Sequence, residues 1–352
     1  STPLLVGGAA ASVLHTALRI APCYSGPTFY THDAASLPTL AAKLIDPRQA
    51  DETISRNAAD QARRREEYTA PQHPATETVP DAPAAPATPA PTPAREGLHT
   101  LHPSVEELRP LINWRAFLAA WRTSACTAEA RDVTDDANRV IDLLQQREAT
   151  LTARILLCHA RSQGLDINVT SADESITIPT LRKAEPSEID GLRPAIADFI
   201  APEGDWIGLF AVTTAGDIAA YTDEMRLQGD PYAAITAQLV ADRLAEAAAE
   251  WLHRLTATEI WGFSTDPSAI GIRPAVGYPS LPDQSIIHLL DRLIHYDEIG
   301  VTVTENGAMS PSATVSGLII AAPGARYFTI GHLTDEARAD YARRRGLTPH
   351  AL

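Results

Sequence analysis

Gly271-Ile272-Arg273-Pro274-Ala275-Val276-Gly277-Tyr278-Pro279-Ser280-Leu281-Pro282-Asp283 interleaves prolines and glycines with one arginine and one tyrosine. Proline fixes φ and removes a backbone donor, so the run cannot be a helix or a central strand. It is expected to be an extended, irregular segment that lines a surface or a cleft and holds Arg273 and Tyr278 in set positions. Two readings are open on physics alone. One is a rigid structural loop, and the other is a carboxylate clamp built on the planar fork of Arg273.

The flanking sequence mixes helices with strands. Helical spacing predicts Val105 to Leu118, Asp132 to Arg147, Pro231 to Leu255, Ser285 to His295 and Thr334 to Arg345. Apolar runs predict strands at Arg154 to Cys158, Trp206 to Val212, Val301 to Thr304, Val315 to Ala321 and Tyr327 to Ile330. Strands do not alternate regularly with helices, so the class is α+β. Asp230 suits an N-cap and Pro231 a first helical residue. On that helix Asp242, Glu246, Glu250 and His253 fall within a stripe about 80° wide. Acids in register at i,i+4 are mildly unfavourable unless a cation lies near. Asp242 and Glu250 are read as a solvated face beside Arg243.

Upstream, residues 3 to 46 read as strand, helix, strand, helix, the tail of a doubly wound α/β domain. Two such units cannot close a sheet, and the chain opens on Ser1 beside an apolar run, so a piece of a longer polypeptide is expected. Residues 50 to 68 are polar and read as a solvated helix. Residues 69 to 96, rich in Pro and Ala, read as an extended linker. The expected parts are 1–48, 49–97 and 98–352.

The 352 residues carry 29 basic and 44 acidic side chains, a formal net charge of -15. Such a balance argues against a nucleic-acid or anionic-membrane surface. No apolar run is long enough to span a bilayer. Cys23, Cys126 and Cys158 match no metal-site spacing and read as reduced thiols of a cytoplasmic protein.

The 271–283 run is very similar to the GIRPAxGYPxxPDH signature of the reactivation domain of cobalamin-dependent methionine synthase. Other stretches resemble that family in the same order. They are Asn113-Trp114 with Phe117 and Trp121, Asp205 to Thr213, Ala241 to Ala247, Trp261-Gly262-Phe263, Thr304 to Met309, Val315-Ser316-Gly317 and Tyr327-Phe328. Residues 3 to 46, with Gly7-Gly8-Ala9 and Tyr24 to Thr28, resemble the end of the family's cobalamin domain.

The resemblance implies an α+β reactivation domain with a twisted, mainly antiparallel sheet, preceded by the last βα units of a doubly wound cobalamin domain. It implies a part in methionine biosynthesis, where methyl passes from methyltetrahydrofolate to homocysteine through cobalamin. This region would bind S-adenosyl-L-methionine and support reductive methylation of inactive cob(II)alamin. Flavodoxin or a similar reductase would supply the electron, and the upstream cobalamin domain would be the partner. On the family pattern Arg273 holds the ligand carboxylate. The backbone at Ala275 and Gly277, with Tyr327 and Phe328, cradles the rest, although a core strand is an equal reading of that pair. Tyr278 lies between ligand and corrin, and Glu246 lies near the ligand's positive charge. Gly7, Gly8 and Ala34 match positions facing the cobalamin nucleotide tail, or a tight turn. Zinc belongs only to absent upstream domains, and the DxHxxG cobalt-ligand motif is absent from the chain.

The chain departs from the family pattern in places. Asn113 stands where an aspartate pairs with the ligand's ammonium, and Gln284 replaces a histidine after Pro-Asp. Cys158 to Asp166 replaces a PANxxGDD run. The loop from Ser264 to Ile270 is roughly ten residues shorter than the family's, a change that loop-closure entropy tolerates. A degenerate domain that caps the cobalamin domain without turnover is therefore the alternative expectation.

Overall fold

The computed structural model describes residues 2–7, 13, 16–31, 37–46, 48–69, 87–123, 127–172, 174–187, 190–266 and 270–347. The chain divides into two units, residues 1–78 and 79–352.

The first unit contains two strands, β1 (Leu4–Gly7) and β2 (Thr28–Thr31), paired in parallel with Leu4 opposite Thr28 and Gly7 opposite Thr31. Helix α1 spans Leu37–Ile45 and α2 spans Ala50–Thr69. The second helix corrects two expectations. It is not a solvated exit helix, and the boundary expected at residue 48 does not separate it from the strands. Asn57 Nδ2 and Gln61 Nε2 both donate to the Thr28 carbonyl, at 2.8 and 2.7 Å, and Arg65 donates to the Ala17 carbonyl at 3.0 Å. These residues recur every fourth position, one stripe of the helix. The stripe is polar and docks through hydrogen bonds, so an apolar-periodicity reading passes over it.

The second unit is an antiparallel sheet with helices on one face and mixed short elements on the other. In chain order it contains β3 (Gly97–Leu101), α3 (Val105–Leu108), α4 (Trp114–Ala120), α5 (Ala128–Gln146), β4 (Thr152–Gln163), β5 (Asp166–Thr170) and β6 (Ser175–Pro179). It continues through β7 (Asp205–Thr213), α6 (Asp217–Leu227), α7 (Pro231–Leu255), α8 (Ile287–Ile294), β8 (Thr302–Val303), β9 (Met309–Ser310), β10 (Thr314–Ile319) and α9 (Asp335–Arg345). The order β10-β7-β4-β5-β6 forms the main sheet, and β3 pairs with the first half of β4. The strand β4 is buried on both faces. Ala153, Ile155 and Leu157 join the core under α7, while Leu156, Cys158 and Ala160 join the core under α8.

Several helix starts follow from local chemistry. Ser104 and Glu107 form a reciprocal capping box at α3. At α7 the Asp230 carboxylate accepts from the backbone N–H groups of Tyr232 and Ala233, and Pro231 opens the helix as expected. The single helix expected over Val105 to Leu118 is broken into α3, a tight turn at Arg109–Leu111 and α4. Pro110 supplies no backbone donor there. Tyr327 to Ile330, expected as a strand, is irregular. Ile330 donates to the Pro279 carbonyl and accepts from the Ala184 amide, one bond on each side and no ladder.

The end of the expected linker is not free chain. The Asp205 carboxylate, buried at the start of β7, accepts from the amides of Ala90, Ala201 and Trp206, each at 2.8 Å. Trp261 Nε1 donates to the Pro91 carbonyl at 2.8 Å, and the Ala94 and Arg95 amides donate to the Trp261 and Ile260 carbonyls. The domain therefore begins well before Leu98. Among the described residues no helix is long and apolar enough to cross a membrane, and no three or more His, Cys, Asp or Glu side chains cluster so as to hold a metal ion.

Candidate functional site

The 271–283 run lies antiparallel along the outer edge of β10. Ile272 exchanges both backbone hydrogen bonds with Ile320, Leu318 donates to the Pro274 carbonyl, and Val276 donates to the Ser316 carbonyl. The run then folds into a tight turn, with Gly277 donating to Leu281, Tyr278 to Ala275 and Leu281 to Tyr278. The expected extended, irregular segment lining a cleft is what the structure contains. At its end the Asp283 carboxylate accepts from Ser285, from the Tyr341 hydroxyl at 2.8 Å and from Arg345 at 3.1 Å. Burial pushes this carboxyl up, but those hydrogen bonds together outweigh it and hold the group below its ordinary value. Asp283 thus ties α9 to the segment.

A cavity of about 360 Å³ opens beside this edge, lined by Glu246, Arg273, Ala275, Tyr278, Tyr327 and Phe328 among others. Six of the residues singled out from the sequence therefore share one pocket. The sequence reading did not include Pro274, Pro279, Ser280 and Thr329, which also line it. Pro274, Pro279 and Thr329 are immediate chain neighbours of residues it did include, and Ser280 is two positions from Tyr278. Gly277 does not line the cavity. Its φ of +86° shapes the turn that carries Tyr278.

Arg273 is sunk into the pocket wall. Its side chain is only 13% exposed, and its guanidinium stands over the Phe210 ring at 5.7 Å. Its nearest carboxylate is Glu250, 3.8 Å away, and the buried Nε has no hydrogen-bond partner among the described residues. A buried, charged donor left this open is a poor arrangement for stability and a good one for receiving an anion. Glu250 is not part of the solvated face that its helical spacing predicts. It is half-buried and shared between Arg254, at 2.7 Å, and Arg273. Asp242, predicted on the same face, is half-buried and accepts from Gln238 at 2.8 Å. Burial raises its carboxyl despite that bond. His253 is buried on the same helix. Burial, aided by the charge of Arg273, holds its imidazole down at about 4, so it is neutral near pH 7. No partner reaches its Nε2 among the described residues.

Glu246, one helical turn before Glu250, also lines the pocket and accepts the Tyr278 hydroxyl at 2.5 Å. Burial, with the Glu246 carboxylate adding to it, pushes that hydroxyl up to about 12. The Tyr327 hydroxyl accepts from the Arg273 amide at 2.8 Å. Tyr327 is 60% exposed and Phe328 is half-buried, so the pair forms a rim rather than a core strand. The pocket thus gathers an anion receptor, a carboxylate and aromatic rings around one cavity.

Asn113 is not among the lining residues. It caps α4, its Oδ1 accepting from the Ala116 amide at 3.0 Å. In the first unit Gly7 ends β1 opposite Thr31. Gly8 and Ala34 lie outside the described residues, as do 267–269 of the shortened loop.

A family model described as vitamin B12 dependent methionine synthase, activation domain, matches residues 104–346. Among solved structures, the crystal structure of the MetH reactivation domain bound to AdoHcy is similar at a TM-score of 0.66 and 29% sequence identity. The match covers 75% of this chain and 90% of that one.

Proposed function

The chain belongs to the activation-domain family of vitamin B12-dependent methionine synthase, and on that premise we propose that its 360 Å³ pocket binds S-adenosylmethionine for reductive methylation of cob(II)alamin. The observation that carries this reading is Arg273, a nearly buried guanidinium whose closest carboxylate is 3.8 Å away. Such a fork suits the carboxylate of an amino-acid ligand. The cavity also lies within the size range of small-molecule sites, roughly 300–1,000 Å³.

The bound ligand would supply an electrophilic methyl group on a sulfonium centre. The chain's own residues bind and orient it. Arg273 takes the carboxylate, and Glu246 offers its charge to the cationic end. Tyr327 and Phe328 cover the remaining apolar and planar surface, and Ala275 leaves the backbone close to the ligand. Neutral His253 adds no repulsion against a ligand cation. Cobalamin would come with the upstream cobalamin domain, and the electron from flavodoxin or a similar reductase.

Asn113 supports a second reading. Its side chain is occupied as a helix cap, which fits a domain that has lost the ligand and only caps the cobalamin domain. Calorimetric titration of the whole chain with S-adenosylmethionine separates the two. Saturable one-to-one binding is expected, and its absence up to millimolar ligand would leave the capping role in its place.

A further inference from the structure

Glu246 and Tyr278 belong to two cavities at once. They line the pocket of Arg273, and they also line a neighbouring cavity of about 480 Å³ whose other walls include Asp242, Gln284, Met309 and Ser316. The hydrogen bond from the Tyr278 hydroxyl to Glu246 Oε1 therefore closes the partition between them. The backbone beneath this partition is fixed by the turn bonds of Ala275, Gly277 and Leu281. The side chain is not so constrained. Tyr278 is 49% exposed, and Glu246 is the one partner of its hydroxyl among the described residues.

We propose that Tyr278 is a gate that the ligand itself releases. A cationic ligand seated in the Arg273 pocket takes Glu246 from the phenol, the ring swings towards solvent, and the two cavities join. The proposal rests on reading that pocket as an S-adenosylmethionine site. The exchange is favourable because the carboxylate trades a neutral donor for a charged one, a bond roughly twice as strong. The half-exposed phenol loses little, since water replaces its partner. A methyl acceptor approaching through the larger cavity then meets an open face only when the ligand's amino-acid end is already seated.

The gate costs affinity, because binding must first break the Tyr278–Glu246 bond. Tyr278→Phe should therefore bind S-adenosylmethionine more tightly than the unaltered chain, by about fivefold for a bond of ordinary net strength. In a Glu246→Gln background, where the competition is weakened at its source, the same change should have little effect. Equal or weaker binding by Tyr278→Phe would overturn the gate and make Tyr278 a positioning residue for Glu246. A second readout needs no folded phenylalanine variant. In the chain labelled with 3-fluorotyrosine, the ¹⁹F resonance lost in Tyr278→His should move to a solvent-exposed position as ligand is added. A resonance that stays in place at saturation refutes the release. Failure of the unaltered chain to bind at all overturns the ligand reading, and the gate with it.

Discussion

Gly317 lies so close against Ala275 that a Cβ on the glycine would stand 2.6 Å from the Ala275 Cα and 2.3 Å from the Pro274 carbonyl oxygen. Both obstacles are backbone atoms and cannot rotate away. Gly317→Ala should push the Arg273 segment off the edge of β10. The expected cost is about 1–3 kcal/mol, as for other overpacked cores. Urea denaturation checks the stability, and ligand titration checks the pocket. A variant as stable as the parent would show that the segment is held elsewhere.

Arg273→Ala should weaken S-adenosylmethionine binding more than Arg243→Ala does. A charge-assisted pair to a ligand carboxylate contributes on the order of 1.5–3 kcal/mol, and a partly exposed charge under about 1 kcal/mol. Arg243 lines the neighbouring cavity rather than the ligand pocket. Equal losses in paired calorimetric titrations would remove Arg273 from the carboxylate site.

Asn113→Asp tests the family pattern, in which a full negative charge at this position pairs with the ligand's ammonium. Several-fold tighter binding, with a larger gain at low salt, is expected if the helix cap reaches the ligand from outside the pocket lining. Stability should hardly change, since aspartate and asparagine are equivalent N-caps and Asn113 caps α4 through Oδ1 alone. Titrations at two ionic strengths decide the matter. No gain at either would mean that this cap lies outside the ammonium's reach.

His253 gives an acid response of known sign. Its imidazole titrates at about 4 when folded, against an ordinary 6.5. Between those values the unfolded chain holds the extra proton. Stability should therefore fall as pH drops from 6.5 towards 4 and lose nothing further from this group below that. The loss is on the order of 3 kcal/mol. His253→Gln has no such group, so urea midpoints of parent and variant should diverge across this window. Parallel curves would mean that the folded imidazole is not depressed.

Limited proteolysis should cut the proline-rich stretch first and leave a stable product. Its first residue should precede Ala90, because Asp205 and Trp261 hold residues 90 to 95 through main-chain and indole hydrogen bonds. Mass spectrometry of the product is the check. A terminus at Leu98 would mean that these bonds open easily.

The elements read correctly from sequence share a physical trait. Pro231–Leu255 carries its own cap and a first-turn proline, and the continuous apolar runs within β4 and β7 fit strands buried on both faces. The missed elements lack such a signature. The strand β3 alternates between exposed and half-buried residues, and β5 and β6 are short and partly exposed. The apolar residues of Tyr327–Ile330 find partners without a ladder, which periodicity cannot distinguish from a strand. In the pocket, Arg273, Tyr278 and Glu246 were legible because resemblance and residue chemistry agreed. Glu250 and His253 were legible as a stripe, but not as neighbours of Arg273, because what a helix face meets is settled only by tertiary packing.

Gln284 occupies the position where the family pattern has a histidine. Its Nε2 donates to the Gly307 carbonyl at 2.9 Å, and its Oε1 lies 2.5 Å from where a Cβ on Gly277 would stand. The side chain is thus a hinge pin between the signature turn and the hairpin that carries Gly307. A carboxamide neither gains nor loses a proton over the physiological range, so this pin is deaf to acidity. An imidazole in its place would make the joint proton-responsive, changing its donors and charge near neutral pH. In this protein Gln284 brings no titratable group to the Tyr278 turn, so acid sensitivity there must originate in other ionisable groups, Glu246 and Asp283 among them.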